Sequence, residues 1–202
     1  MTAPSALLID DLKTRYSEPQ RHYHSWDHIE ALLGHYHQIV DRLNDPVAVL
    51  WALYWHDAIY DPQASDNEDK SADLLNEMAP AELAGTSKQR ADAIIRATKQ
   101  HVIPDTLATE DRADMALFLD IDLSILAAPE RVFKAYEDQI RQEYAFVPEP
   151  IYVQARNAIL KGFLNRDRLY FSDYFHEQWT LQARENLQQS IEILDAKERE
   201  HG

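Results

Sequence analysis

Pro46-Val47-Ala48-Val49-Leu50-Trp51-Ala52-Leu53-Tyr54-Trp55-His56-Asp57 is the run that decides the fold. Apolar residues fill nearly every position instead of one stripe, and Asn44-Asp45-Pro46 ahead of them is a helix start with proline in the first turn. A helix that is apolar all round is buried on most sides, so the rest of the chain must cover it. His56 and Asp57 then place an ionisable pair at the C-terminal end of that helix, which the pattern predicts to run to about residue 59. Burial of such a pair is costly unless something compensates. A divalent metal is the simplest compensation, because it takes neutral imidazole nitrogen and anionic carboxylate together.

Outward from this run the periodicity is helical almost throughout. Leu7, Leu8, Leu12 and Tyr16 recur at helical spacing until Pro19. Ser25 is placed to cap a second helix, reaching about Leu43, that carries His28, Ile29, Leu32, Leu33, Tyr36 and Ile39. Further helices are predicted over residues 67–78, 87–101, 111–120, 129–144, 148–165 and 173–197, separated by proline and turn residues. There is no strand-like alternation, internal repeat or linker. The expected fold is an all-α single domain over residues 1–202, a bundle of about eight or nine helices.

Composition narrows the chemistry. None of the 202 residues is Cys, which excludes disulfides and thiolate metal sites, so any metal must be held by His and carboxylate. The net charge of −15 argues against a general nucleic-acid binder, because phosphate neutralisation needs a Lys/Arg surface. No apolar run approaches the roughly 18 residues that span a bilayer. The N-terminus lacks the basic region of a secretory signal, so the expected location is cytoplasmic, away from a membrane. An acidic protein acting on a phosphate ester would need a metal and a few arginines at one mouth.

The histidines then become informative. In Arg21-His22-Tyr23-His24-Ser25-Trp26-Asp27-His28, His24 and His28 are four apart and share a face if both are helical. One helix presents too few ligands for an ion, so a set of two His and two carboxylates must converge from several helices. His28, His56, Asp57 and Asp122 lie at different helix ends and are the candidates. Asp120, two residues before Asp122, competes for the last place.

The order His … His-Asp … Asp resembles the HD superfamily of metal-dependent phosphohydrolases. Tyr23-His24-Ser25-Trp26-Asp27-His28 is similar to the Tyr-His-Asn-x-x-His phrase of the cyclic-nucleotide phosphodiesterases in that superfamily, with Ser25 in place of Asn. Ile121-Asp122-Leu123-Ser124 is similar to their Ala-Asp-Leu-Ser. A closer resemblance is to a group of small bacterial HD phosphohydrolases. It rests on Arg21-His22-Tyr23-His24, Trp55-His56-Asp57-Ala58-Ile59-Tyr60-Asp61, Asn67-Glu68-Asp69-Lys70-Ser71-Ala72, Ala97-Thr98-Lys99-Gln100-His101 and Phe118-Leu119-Asp120-Ile121-Asp122-Leu123-Ser124-Ile125-Leu126, and spans residues 16–190.

The resemblance implies a helical bundle of the HD type, with His28, His56, Asp57 and Asp122 as ligands of one divalent ion. Mn, Fe, Co, Ni, Zn and Mg are all compatible. The Asp-Leu-Ser match favours Asp122 over Asp120. HD enzymes with fuller di-iron sites need further histidines between the doublet and the last Asp, and here there is only His101. The site is therefore mononuclear, or has a weaker second ion held mostly by Asp57 and water. His24 corresponds to a proton donor. Glu68 is a candidate to orient water, and His101 to contact phosphate or complete the weaker site. Arg21, Tyr23 and Asn67 are candidate substrate contacts. Arg141, Tyr144, Arg156 and Arg166 are weaker candidates for a phosphate pocket, with packing or surface as the simpler role for each. His22, His35, His37, His176 and His201 are assigned to surface or structure, and Trp51, Tyr54 and Trp55 to the core. The implied activity is hydrolysis of a small phosphate ester such as a nucleotide. The alternative is a nucleotide-binding regulator on the same scaffold without turnover. Substrate and oligomeric state are not legible.

Overall fold

The computed structural model describes residues 3–80, 83 and 85–201. Among them are nine α-helices, two short 3-10 helices and no strand. They fall into two compact units, Met1–Asp122 and Leu123–Gly202. The first contains α1 (Ala6–Arg15), α2 (Trp26–Ile39), α3 (Pro46–Trp55), α4 (Asn67–Met78), α5 (Gly85–Thr98) and α6 (Thr109–Asp122), with a 3-10 turn at Val40–Arg42. The second contains a 3-10 helix at Leu123–Ala127, then α7 (Glu130–Glu143), α8 (Glu149–Leu164) and α9 (Asp173–His201). Among the described residues no helix is long and apolar enough to cross a membrane.

In the first unit α3 is the hub, packing against α5 and also touching α2, α4 and α6. Val49, Trp51, Ala52, Leu53 and Trp55 are all buried, and the Trp51 and Trp55 rings stack at 4.8 Å. Tyr54 is the half-buried member of that expected core cluster and lies against Trp26 at 6.0 Å. The start of α3 is strongly determined. Asp45 accepts from the Ala48 N–H at 3.0 Å, and Pro46 occupies the first turn, where a missing N–H costs nothing. Asp114 of α6 in turn accepts from the N–H groups of Asn44 and Asp45 at 2.8 and 2.7 Å, tying α6 to the entrance of α3.

The start of α2 agrees with the capping position read from the chain, with Ser25 at the N-cap, whereas the ends of α3, α5 and α6 differ from the periodicity. α3 stops at Trp55, because the next carbonyls and amides bond elsewhere: Asp57 and Ala58 accept from Arg21, and the Ile59 N–H donates to Ser71 Oγ. α2 begins at Trp26, so His24 lies in the bend before it. The His24 carbonyl is taken by Arg21, while the His28 N–H turns to the Ser25 carbonyl. Ser25 holds the N-cap position without a side-chain bond. α5 ends at Thr98, three residues before His101. α6 runs on to Asp122, which places the last candidate ligand in a helical final turn.

In the second unit α8 and α9 form the main helix pair, and α9 also packs on the Leu123–Ala127 turn. Asn186 donates to the carbonyls of Leu126 and Ala128, both at 2.8 Å. The four weaker pocket candidates after Asp122 all lie here, and the Arg166 carbonyl accepts from Arg184 at 2.8 Å. Arg156 is buried against Glu137 and Tyr136, and Arg141 donates to the Tyr144 carbonyl at 2.7 Å.

Candidate metal centre

Three segments of the first unit bring their donors to one point. His28 projects from the first turn of α2, His56 caps the C-terminus of α3, and Asp122 ends α6. His28 Nε2 lies 3.2 Å from His56 Nε2, and Asp122 Oδ1 lies 3.3 and 3.5 Å from those two nitrogens. Among the described residues, this is the group of three whose ligand atoms all lie within 4.8 Å of one another. Asp57 approaches from the neighbouring position, with Oδ2 3.1 Å from His56 Nε2. Asp120 is fully buried, two residues and therefore about 200° round α6 from Asp122. Asp122 is the aspartate that meets both histidines.

The hydrogen bonding around His56 sets its chemistry. Nδ1 faces the Leu53 carbonyl at 3.0 Å and can only donate there, which leaves Nε2 with a lone pair. That lone pair faces a second imidazole nitrogen and two carboxylates, in a site where His28 and His56 are almost fully buried. Such an arrangement repels itself unless a positive charge enters it, either a proton on His56 or a metal ion. With metal–ligand bonds of about 2.1 Å, adjacent donors lie ~3.0 Å apart in an octahedron and ~3.4 Å in a tetrahedron. The observed separations of 3.2–3.5 Å match that range. The His28, His56 and Asp122 group could hold a metal ion.

The electrostatics without a metal are consistent with this geometry. Burial opposes charge on His56, but Asp57 and Asp122 outweigh it and hold the imidazole pKa well above the ordinary 6.5. Burial lowers the His28 pKa, with the Asp122 hydrogen bond acting against it. Burial would raise the carboxyl of Asp122, yet the His56 charge and bonds from His101, His28 and His56 hold it well below the carboxylate range. Asp57 behaves likewise, with burial overcome by His56. One proton among two imidazoles and two carboxylates is thus held tightly, at the place a cation would take.

The remaining sequence candidates fall into distinct places. His101 Nε2 lies 3.0 Å from Asp122 Oδ2, on the far oxygen from the cluster. Its backbone has φ 49°, a left-handed conformation that disfavours residues with a Cβ and here turns the chain out of α5. The ring of His24 is stacked on Tyr60 at 4.3 Å and lies 6.3 Å from the His28 ring. Tyr23 covers the same edge, 5.1 Å from His24 and 5.0 Å from His28. Glu68 sits half-buried in the first turn of α4. Asn67 closes the loop before α4, exchanging bonds with the backbone of Asp61 at 3.1 and 2.8 Å. Arg21 is placed otherwise than its candidacy as a phosphate contact supposes. Its side chain is fully buried and donates to the carbonyls of His24, Asp57 and Ala58. Of the histidines assigned to surface or structure, His22 and His37 are exposed and His35 and His176 half-buried. The side chain of His201 lies outside the described residues.

Tyr16 and Ser71 were not legible as parts of the centre. The Tyr16 hydroxyl accepts from the Asp57 N–H at 3.3 Å and donates to the Tyr54 carbonyl at 3.1 Å. Both residues act through the backbone next to the ligands, and no spacing in the chain announces such a contact.

Scans of the chain against protein-family models, curated proteins and solved structures found no match.

Proposed function

We propose that the first unit is a metal-dependent phosphohydrolase centre of the HD type, acting on a small phosphate ester such as a nucleotide. The observation that carries this reading is the convergence of His28, His56 and Asp122 within 3.2–3.5 Å, with Asp57 beside them. The phrases that resemble the HD enzymes supply the same residues, in the same order, from an independent direction. A bound divalent ion would activate water near neutral pH and polarise a phosphoryl oxygen.

The chain's own residues do the rest. His56 presents Nε2 because its Nδ1–H is held by the Leu53 carbonyl. His101 engages the outer oxygen of Asp122 and thereby orients the inner one. His24 is the group for the leaving oxygen. It stands beside the ligand cluster without belonging to it, and its half-buried ring is held by the stack on Tyr60. An imidazolium there can deliver a proton to a departing alkoxide.

The test is an assay of metal-loaded protein against phosphomonoesters, cyclic nucleotides and nucleoside triphosphates, with Mn, Mg, Fe, Co, Ni and Zn tried in turn. His56→Ala and Asp57→Ala are expected to lose both metal and turnover, whereas His24→Ala keeps the metal and loses turnover. Wild-type rates in His24→Ala would remove its role as proton donor. A wild type that binds metal and cleaves nothing on the panel would turn the reading towards a regulator.

A further inference from the structure

We propose that Arg21 is a positioning residue that sets the spacing between His28 and the His56–Asp57 pair. The inference rests on the metal reading of the cluster, but its content is the geometry of the donors. One nitrogen carries the argument: Arg21 Nη1 donates to the His24 carbonyl at 3.0 Å and to the Asp57 carbonyl at 2.8 Å. Those carbonyls belong to the two segments that deliver the histidines, residues 22–25 before α2 and residues 56–58 after α3. Neither segment is held by regular secondary structure. The last carbonyls of a helix have no partner within it, and here a side chain from 36 residues away supplies one.

The rest of the guanidinium is equally engaged. Nη2 donates to the Ala58 carbonyl at 3.1 Å, and Nε donates to Glu18 at 3.1 Å. Its Cζ lies over the rings of Tyr16 and Tyr60, at 4.9 and 5.3 Å from the centroids. Tyr16 also accepts from the Asp57 N–H, and Tyr60 carries the stacked His24 ring. A buried cation in water-poor surroundings is tolerable only with this degree of pairing. The fork geometry is specific to arginine, because an ammonium on a lysine stem cannot reach three carbonyls in one plane. A loss of Arg21 therefore relaxes the 3.2 Å approach of His28 to His56 without deleting a ligand.

The experiment compares wild type, Arg21→Lys and Arg21→Ala, with Arg90→Ala as a control for the loss of an arginine and its ion pairs elsewhere in the same unit. Two readouts are taken: Zn2+ affinity by titration calorimetry, and the imidazole ring signals of metal-free protein by 15N NMR. Both Arg21 variants are expected to bind Zn2+ about 10–100-fold more weakly, the usual cost of removing a group that orients ligands. The ring signals of His24, His28 and His56 should move while those of His37 and His176 stay, and Arg90→Ala should change neither readout. If Arg21→Ala fails to fold, Arg21→Lys carries the test. Wild-type Zn2+ affinity and unmoved ring signals in a folded Arg21 variant overturn the proposal and leave the metal reading intact. A wild type that binds no divalent ion refutes the metal reading instead, and the ring signals alone then decide whether Arg21 sets the geometry.

Discussion

Replacing Asp45 with Ala separates the scaffold of the centre from its chemistry. Asp45 starts the helix that ends in His56, and its carboxylate has three partners: the Ala48 N–H at 3.0 Å, Ser87 Oγ at 2.9 Å and Arg90 Nη1 at 3.0 Å. Loss of the cap costs about 1 kcal/mol. The half-buried bond from Ser87 to a charged acceptor adds about 1–2 kcal/mol. Arg90 contributes little, because it is 39% exposed and keeps Asp111 at 2.6 Å. The sum is about 2–3 kcal/mol, or a melting temperature lower by about 5–10 °C. The effect also has a sign in pH. Burial works against the ionised carboxyl, but the Ala48 N–H, Arg90 and Ser87 outweigh it and hold Asp45 below its ordinary 3.8. Its stabilisation is therefore complete above that value and is lost as pH falls through the folded-state pKa. Urea titrations followed by tryptophan fluorescence, which sees the Trp51–Trp55 stack, should show the full difference at pH 7 and convergence of the two proteins as pH falls below the folded-state pKa of Asp45. A difference below about 0.5 kcal/mol at pH 7, or one that persists undiminished in acid, would refute the reasoning.

Asp122→Ala removes the carboxylate that meets both histidines, and calorimetry should show Zn2+ affinity reduced at least 100-fold, beyond the loss of an orienting group alone. His101→Gly relieves the left-handed strain, worth about 1 kcal/mol, but frees the outer oxygen of Asp122. Thermal melts should show unchanged or higher stability while metal affinity falls. Trp51→Ala opens a cavity beside Trp55 in the hub helix and should cost about 3–5 kcal/mol by chemical denaturation.

The helices were legible because their causes are local. Asp45-Pro46 starts α3, Pro19 and Pro104 follow the ends of helical runs, and the apolar periodicity of α2 and α5 states which face is buried, whereas in α1 Leu12 is buried but Leu7 is exposed. The ligand set was legible in part for a chemical reason, since His56 and Asp57 end an apolar run where neither belongs without a partner. Asp122 was readable only against Asp120, two residues apart, and the choice turned on a phrase. The structure settles which aspartate meets the histidines, since only the direction of a side chain on α6 distinguishes them.

Arg21 shows the limit most clearly. In the chain it is a charged residue beside a proline turn and two histidines, which suits a phosphate contact. In the fold its guanidinium is enclosed by Tyr16, Tyr60 and three carbonyls. The same holds for His24, which spacing places on a helical face and the structure places on Tyr60. By itself, then, the sequence determined an all-helical chain around an apolar hub, and pointed to a candidate metal site without thiolates and to residues fit to build it. Tertiary structure alone decided where α3 ends, which carboxylate meets the histidines, and what holds the ligand-bearing turns together. The physical reason is that helix periodicity is a local property, whereas a carbonyl left over at a helix end takes its partner from whatever the fold brings near.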